Sequence, residues 1–475
     1  MPARKISKLL VANRGEIACR VFRTAERMGI RTCAVFTEHD EGAPHAEREA
    51  MQIGDYLDIE QVLAAALKLQ ADAIHPGYGF LAENPAFAEA CEGEGIVFLG
   101  PTASTMRAIG DKSEARKTVI ALGVPTSEGL GPFTSVEEIE AAARSLGPPL
   151  MLKAAAGGGG KGMKRIEHLE GIRDLIESAQ RETNAAFGDS RMIVERYIHP
   201  ARHVEVQIMG DGARCIALGE RECSLQRRHQ KIIEESPSPA VSKELRQRLM
   251  AAAIKIGELT GYRSAGTVEF LLDSEGGFYF LEVNARLQVE HPVTELITGL
   301  DLVQMQIEVA GGVSLPKQED IRFRGHAIEA RLNAEDPYAE FLPSSGRVLR
   351  LQWPEGVDGI RIDTGIGATV SSRYDSLLAK LIAHAEDREA ARKKLVDALK
   401  ATVLLGLNTN QGFLVDLLES PEFVSGRFST STIDNMDIVT PPTPDAAIAA
   451  ACALLRGPTH GGSFPWNSVG SWELA

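Results

Sequence analysis

The chain lacks the features that would place it in a membrane, in an oxidising compartment or along nucleic acid. No apolar run in its 475 residues approaches the roughly 18 that a membrane helix needs. Its six cysteines (Cys19, Cys33, Cys91, Cys215, Cys223, Cys452) form no CxxC pair, which argues against a disulfide framework or a zinc site and for reduced thiols. Basic charge is in deficit. The 51 Lys and Arg against 65 Asp and Glu leave −14, which disfavours a broad nucleic-acid surface and still allows a local basic pocket. A strand-like segment begins within ten residues of Met1 with no leader-like stretch before it, so a cytoplasmic protein is expected.

What is present is globular. Hydrophobic residues make up 44% and charged residues 24%, near the averages for folded domains, and the length allows about two to four of them. Up to about residue 100, strand-like segments at 9–12, 32–36, 73–75 and 96–99 alternate with helical stretches such as 16–28. This is the βαβ rhythm of a parallel sheet. In that helix Ile17, Val21, Ala25 and Met28 recur at spacings of three and four, which predicts a buried stripe. The turn after the first strand reads Asn13-Arg14-Gly15-Glu16, where a dinucleotide-binding fold would carry GxGxxG, so a Rossmann cofactor site is not expected. Further on, 203–209 alternates Val204, Val206 and Ile208 with His203, Glu205 and Gln207, the pattern of a half-buried strand with a polar face. Long helices are expected near 242–260 and 387–399. From 440 the sequence TPPTPDA reads as a linker, followed by an Ala-rich helix and a tail with Trp466 and Trp472.

Several segments can carry chemistry. Lys153 is followed by Gly157, Gly158, Gly159 and Gly160, then Lys161 and Gly162. Backbone amides without side chains can approach phosphate oxygens closely, and lysines add charge. The GxxxxGK[ST] spacing fails, so this is not a Walker loop; a plain flexible turn is the alternative. A hairpin is expected over 266–273 and 278–284. If Asp273 pairs with Phe278, partners sum to 551 and Glu269 faces Glu282. Opposed carboxylates about 5 Å apart repel unless a cation lies between them, and Asn284 adds an oxygen on the same face. Magnesium carrying ATP is the reading, against a solvated strand face. Residues 286–295 combine Arg286, Gln288 and Glu290, suited to binding and deprotonating a small anion. Residues 223–231 are the one concentrated basic stretch, better explained by a phosphate pocket than by nucleic acid.

Taken together, ANRGEIA (12–18), HPGYGFL-EN (75–84), KAAAGGGG-GM (153–163), ERECSLQRRHQK (220–231), GTVEFLLD (266–273), RLQVEHPVTE (286–295) and EARLNAEDP (329–337) resemble the biotin carboxylase family of ATP-grasp enzymes over about residues 5–440. Carbamoyl phosphate synthetases share the hairpin, but the QVEHPVTE loop looks like the biotin-dependent branch. The resemblance implies an N-terminal Rossmann-like preATP-grasp α/β domain (1–112), an ATP-grasp domain (113–335) with a Gly-rich lid at about 130–205, and a C-terminal mixed-sheet domain (336–440). Residues 441–475 would be a linker and tail, read as the possible start of a connecting region.

It also implies a site. Lys112, Lys153, His203 and Gly157 to Gly160 would hold ATP phosphates, and Glu195, Tyr197 and Ile198 would border the adenine. Gln226 and His229 are grouped with the ATP-binding residues, near the place where Tyr78 would seat the biotin ring. Glu269, Glu282 and Asn284 would bind magnesium or manganese. Arg286, Gln288 and Val289 would position bicarbonate for Glu290 as base, while Lys231 and Arg331 would stabilise developing charge. Departures from the family pattern (Lys161 for arginine, Ala82 for serine, EVNAR for EMNTR) remove no such group. No Met-Lys-Met biotinylation site is present, so biotin is expected on a separate carrier domain or protein, with a carboxyltransferase β subunit downstream and a homodimer or larger assembly. Two other classes remain at this stage: an ATP-grasp ligase joining a carboxylate to an amine, and a scaffold that binds nucleotide without turnover.

Overall fold

A computed structural model describes residues 5–155, 162–354 and 356–440. Gly157 to Gly160, Lys161 and the 441–475 tail therefore lie outside the described residues.

The βαβ rhythm resolves into a parallel sheet. Strands β1 (Lys8–Val11), β2 (Arg31–Phe36), β3 (Ala50–Gln52), β4 (Ala73–His75) and β5 (Val97–Phe98) order as β3-β2-β1-β4-β5. The helix Gly15–Arg27 buries Ile17, Val21 and Ala25, whereas Met28, at its C-cap, is only partly covered. Asn13 leaves β1 and donates its side-chain amide to the Pro76 and Tyr78 carbonyls, both at 2.8 Å. The turn after β4 therefore packs onto the turn after β1. Gly77, at φ 65°, makes this possible, because a Cβ there would sit 2.7 Å from Asn13 Nδ2.

Strands β6 (Gly129–Phe133), β7 (Leu150–Ala154), β8 (Lys164–Ile166) and β9 (Met192–Arg196) form a separate antiparallel sheet, ordered β6-β9-β7-β8. With the helices Val136–Leu146 and Ile172–Phe187 it closes its own core around Ile139, Leu152, Ile176 and Val194. An element with a private core can move as a body, and this one occupies the span expected for a lid.

The largest sheet is antiparallel throughout. It runs β14 (Phe278–Asn284), β13 (Arg263–Leu272), β10 (Arg202–Asp211), β11 (Cys215–Arg227), β12 (Gln230–Ser236), β15 (His326–Asn333), then the strands Leu377–Ala385 and Ile360–Thr364. The sheet is thus continuous across residue 335, because Arg331 on β15 pairs with Lys380. The helices expected near 242–260 and 387–399 lie at Lys243–Leu259 and Arg388–Ala401.

Two details depart from expectation. Strand β10 is buried on both faces, with His203, Glu205 and Gln207 covered as fully as Val204 and Val206, because Arg221 and Lys231 lie over its polar face. In the β13–β14 hairpin Glu269 does face Glu282, yet Phe278 pairs with Leu272 rather than Asp273. The tip is one step off the expected register, and a bulge at Leu281 restores it before Glu282.

Candidate active site

A cleft of about 1060 Å³ opens where these parts meet. The expected residues Tyr78, Lys112, Lys153, Glu195, Tyr197, Ile198, His203, Gln226, His229, Lys231, Glu269, Glu282, Asn284, Arg286, Gln288, Val289 and Arg331 all line it. Glu290 does not. It is wholly buried at the start of the helix His291–Thr298, one layer behind the wall.

That layer is a charge cluster. Lys231 Nζ donates to Glu290 at 2.7 Å, Glu269 at 2.9 Å and Glu205 at 2.5 Å, and Arg331 donates to Glu290 at 3.0 Å. Burial alone would raise the Glu290 carboxyl, but Lys231, Arg331 and Arg221 hold it well below the usual carboxylate range. It is therefore an anion placed between two cations, a base whose proton affinity rises only when those cations turn to another anion. Burial opposes the charge on Lys231, and Glu205, Glu269 and Glu290 together drive it well above the ordinary lysine value. His203 lies 2.9 Å from Glu269; burial disfavours its charge, but Glu269 outweighs that and raises it.

Above this layer Arg286 is aimed by four acceptors: Glu83 at 3.0 Å, Gln288 at 2.7 Å, Asn284 at 3.3 Å and the Leu287 carbonyl at 3.3 Å. Tyr78 donates to Glu16, which meets the wholly buried Lys380 at 3.2 Å, and Lys380 donates to the Val289 carbonyl at 2.7 Å. Glu16 and Lys380 thus tie the turn that carries Tyr78 to the loop that carries Val289.

At the other end Lys153 and Arg116 hold Glu195 at 2.7 and 3.0 Å, with Ser127 donating at 2.8 Å. Arg165 lies over the Tyr197 ring at 4.5 Å, and Met151, Ile193 and Leu271 add apolar lining. A flat heteroaromatic ring with polar edges fits such a slot.

The expected metal ligands are hard oxygen donors, suited to magnesium. Their oxygens are shared with cations: Lys112 lies 2.8 Å from Glu282, and Glu269 is held by Lys231 and His203. Buried Asn284 Nδ2 has no partner among the described residues. His203, Glu205 and Glu269 also bring ligand atoms within 4.8 Å of one another, a set that includes an imidazole and so matches magnesium less well than three oxygens.

Sequence reasoning missed several contributors. Glu205 and Arg221 lay inside quoted patterns without a role, and Glu83 aims Arg286 from a motif noted only for its turn. Asp434 and Asn435, which reach the cleft from the end of the described chain, gave no signal.

Comparison with known proteins decides the family. The description "Biotin carboxylase, N-terminal domain" matches residues 5–106, "Carbamoyl-phosphate synthase L chain, ATP binding domain" 111–318, and "Biotin carboxylase C-terminal domain" 329–435. The chain belongs to the biotin carboxylase family. Among biotin carboxylases, that of Nostoc sp. is 46% identical, over 91% of this chain and 100% of its own. The mitochondrial methylcrotonoyl-CoA carboxylase subunit alpha of Dictyostelium discoideum is 43% identical, over 99% of this chain and 70% of its own. The biotin carboxylase domain dimer of Hydrogenobacter thermophilus 2-oxoglutarate carboxylase, solved with MgADP, ADP and bicarbonate, superposes with TM-score 0.89 at 42% identity, covering 92% of this chain and 100% of that one. The mixed parallel and antiparallel sheets are those of the biotin carboxylase fold, as the motifs implied. Among the described residues no helix is long and apolar enough to cross a membrane.

Proposed function

We propose that this chain carboxylates biotin at the expense of ATP, as the first half-reaction of an acyl-CoA carboxylase. The observation that carries the reading is the arrangement of Arg286, Gln288 and Val289 at the cleft wall with Glu290 behind them, between Lys231 and Arg331.

Bicarbonate would seat against Arg286, Gln288 and Val289. As it draws Lys231 and Arg331 toward itself, Glu290 loses counter-charge, gains proton affinity and takes the bicarbonate proton. The deprotonated oxygen then attacks the γ-phosphorus of ATP and the bond to ADP breaks, giving carboxyphosphate. Lys112, Lys153 and His203, with Gly157 to Gly160, would hold the phosphates; Glu195, Tyr197 and Ile198 the adenine, with Gln226 and His229 beside it. Glu269, Glu282 and Asn284 would hold magnesium or manganese, which offsets phosphate charge. Carboxyphosphate yields CO2 and phosphate, the phosphate takes the proton from biotin N1, and N1 attacks CO2. Arg331 would stabilise the enolate oxygen, with Tyr78 beside the ring. The β6–β9 body, closing over ATP, would exclude water from carboxyphosphate.

The division into 1–112, 113–335 and 336–440, with the lid at about 130–205 and a linker and tail after 440, is part of this reading; family-model matches at 5–106, 111–318 and 329–435 support it. Biotin would arrive on a carrier domain or protein, and a carboxyltransferase subunit would receive the carboxyl group. The dimer named for the Hydrogenobacter domain supports a homodimer here. A cytoplasmic setting is retained from the sequence, although the Dictyostelium relative is mitochondrial.

The test is ADP release from ATP and magnesium, with and without bicarbonate and free biotin. Release that requires bicarbonate and rises with biotin supports the reading. Release only on adding an amine and a carboxylate favours a ligase, and binding without release favours a scaffold.

A further inference from the structure

Glu234 and Glu329 stand directly opposite one another on β12 and β15, the adjacent strands that carry Lys231 and Arg331. Both are wholly buried. Glu234 Oε1 accepts from Arg331 Nε at 2.6 Å, whereas Glu234 Oε2 and both oxygens of Glu329 have no hydrogen-bond partner among the described residues. Side chains directly opposed on paired strands are about 5 Å apart at Cβ. Two carboxylates at that spacing, shielded from water, do not both ionise without a cation of their own.

Among the described residues, every surrounding cation is already engaged elsewhere, Lys380 included, although it still opposes the effect of burial on Glu329. Strand β11 contributes the thiol of Cys223 and β12 contributes Lys231, which is already shared among three carboxylates. Arg331 on β15 serves Glu234 and Glu290. Lys380, on the strand Leu377–Ala385, is engaged by the Val289 carbonyl and Glu16. From the helix His291–Thr298, His291 Nδ1 donates to the Gln288 carbonyl at 2.7 Å, and Glu295 pairs with Arg20 and Arg361. On the helix Arg388–Ala401, Arg388 is taken by Glu235 at 2.6 Å.

We propose that Glu234 and Glu329 are a positioning pair that holds one shared proton behind Arg331 and so leaves the guanidinium charge available to the anion in the cleft. Burial, ahead of every neighbouring charge, drives Glu329 well above the ordinary value and Glu234 up to about 7. While the proton is held, Arg331 faces one compensating charge from behind. Once it leaves, a second negative charge offsets the guanidinium and weakens its hold on bicarbonate. The anion's identity rests on the function proposed above; the shared proton does not.

Two measurements on the full chain separate these claims, each with wild type, E329Q and E234Q. The first is the thermal midpoint without substrates over about pH 5.5 to 8.5. A carboxyl protonated in the fold and ionised when unfolded makes stability fall as pH rises from the unfolded value of about 4.3 toward the folded value. Relative to E329Q and E234Q, wild type should therefore lose stability across this range. Equal slopes overturn the shared proton. The second is the KM for bicarbonate in ADP release. It should rise about fivefold over this range in wild type and less than about twofold in E329Q. E234Q weakens the 2.6 Å contact that aims Arg331, and this loss of aim should outweigh the relief of charge, raising that KM about fivefold at pH 7 with the KM for ATP moving less than about twofold. Parallel curves for wild type and E329Q, or equal effects of E234Q on the two KM values, overturn the positioning role. If the slopes differ but ADP release never depends on bicarbonate, the function reading fails and the shared proton stands. Should E329Q not fold, E234Q decides both measurements.

Discussion

Lys231 lies 2.7 Å from Glu290, and the same ammonium reaches Glu205 at 2.5 Å and Glu269 at 2.9 Å. One cation thus joins the proposed base to a proposed metal ligand. Anything that draws Lys231 toward the cleft leaves Glu290 with less counter-charge and Glu269 freer to bind a metal. Base strength and metal binding are coupled through a single side chain, which fits a reaction in which bicarbonate and MgATP must be present together.

Glu290→Gln tests the base directly. The amide keeps the shape and removes the proton acceptor, so bicarbonate-dependent ADP release should fall by about 100-fold or more. ATP affinity, measured by equilibrium binding, should change less than about threefold, since Glu290 does not line the cleft. Unaltered turnover would remove Glu290 from its role.

Glu282→Gln addresses the metal. Glu282 is paired with Lys112, so in the proposed site ATP phosphate would take over the lysine and magnesium the carboxylate. Removing that carboxylate should raise the half-saturating magnesium concentration for ADP release by about tenfold. A superimposable magnesium titration would count against the hairpin as the metal site.

The hairpin also shows what a sequence can and cannot convey. The alternation of apolar residues placed both strands, and the opposition of Glu269 and Glu282 followed from counting, but the counting assumed an unbroken register. The tip closes one residue tighter, with the Asp273 amide donating to the Gly277 carbonyl, and the bulge at Leu281 compensates. Bulges have no reliable local signature. Local periodicity likewise revealed the parallel sheet and the long helices, because each depends on neighbours in sequence. The burial of Glu205 and Arg221 depends on strands far apart in the chain, so the alternation around Glu205 reads as a half-buried strand and Arg221 stands in a quoted motif without a role. Motif resemblance supplied what spacing could not, the set of residues that line one cleft and the roles proposed for them, and it still passed over Glu83.

Gly77→Ala should separate biotin from ATP. At φ 65° and with a Cβ 2.7 Å from Asn13 Nδ2, the substitution costs about 1–2 kcal/mol in backbone strain alone. It also displaces Tyr78, whose carbonyl accepts from the same amide. The KM for free biotin should rise several-fold, to about fivefold, with the KM for ATP unaffected. Equal changes in both would mean that the turn serves folding only.

Asp301→Asn bears on stability rather than chemistry. Asp301 accepts from Arg20 at 3.0 Å, Thr24 at 2.6 Å and the Gln304 amide at 2.9 Å. Burial alone would raise its carboxyl, but Arg20 and these donors hold it down to about 2. A depressed carboxyl contributes stability above its unfolded value of about 3.9 and loses it as pH falls through the folded value. The variant should therefore be less stable by about 2 kcal/mol at pH 7, read from urea unfolding. The gap should narrow between about pH 4 and pH 2, where wild type becomes protonated and asparagine does not titrate. A gap that stays constant down to acid pH would mean that lost hydrogen-bond geometry, not charge, accounts for the difference.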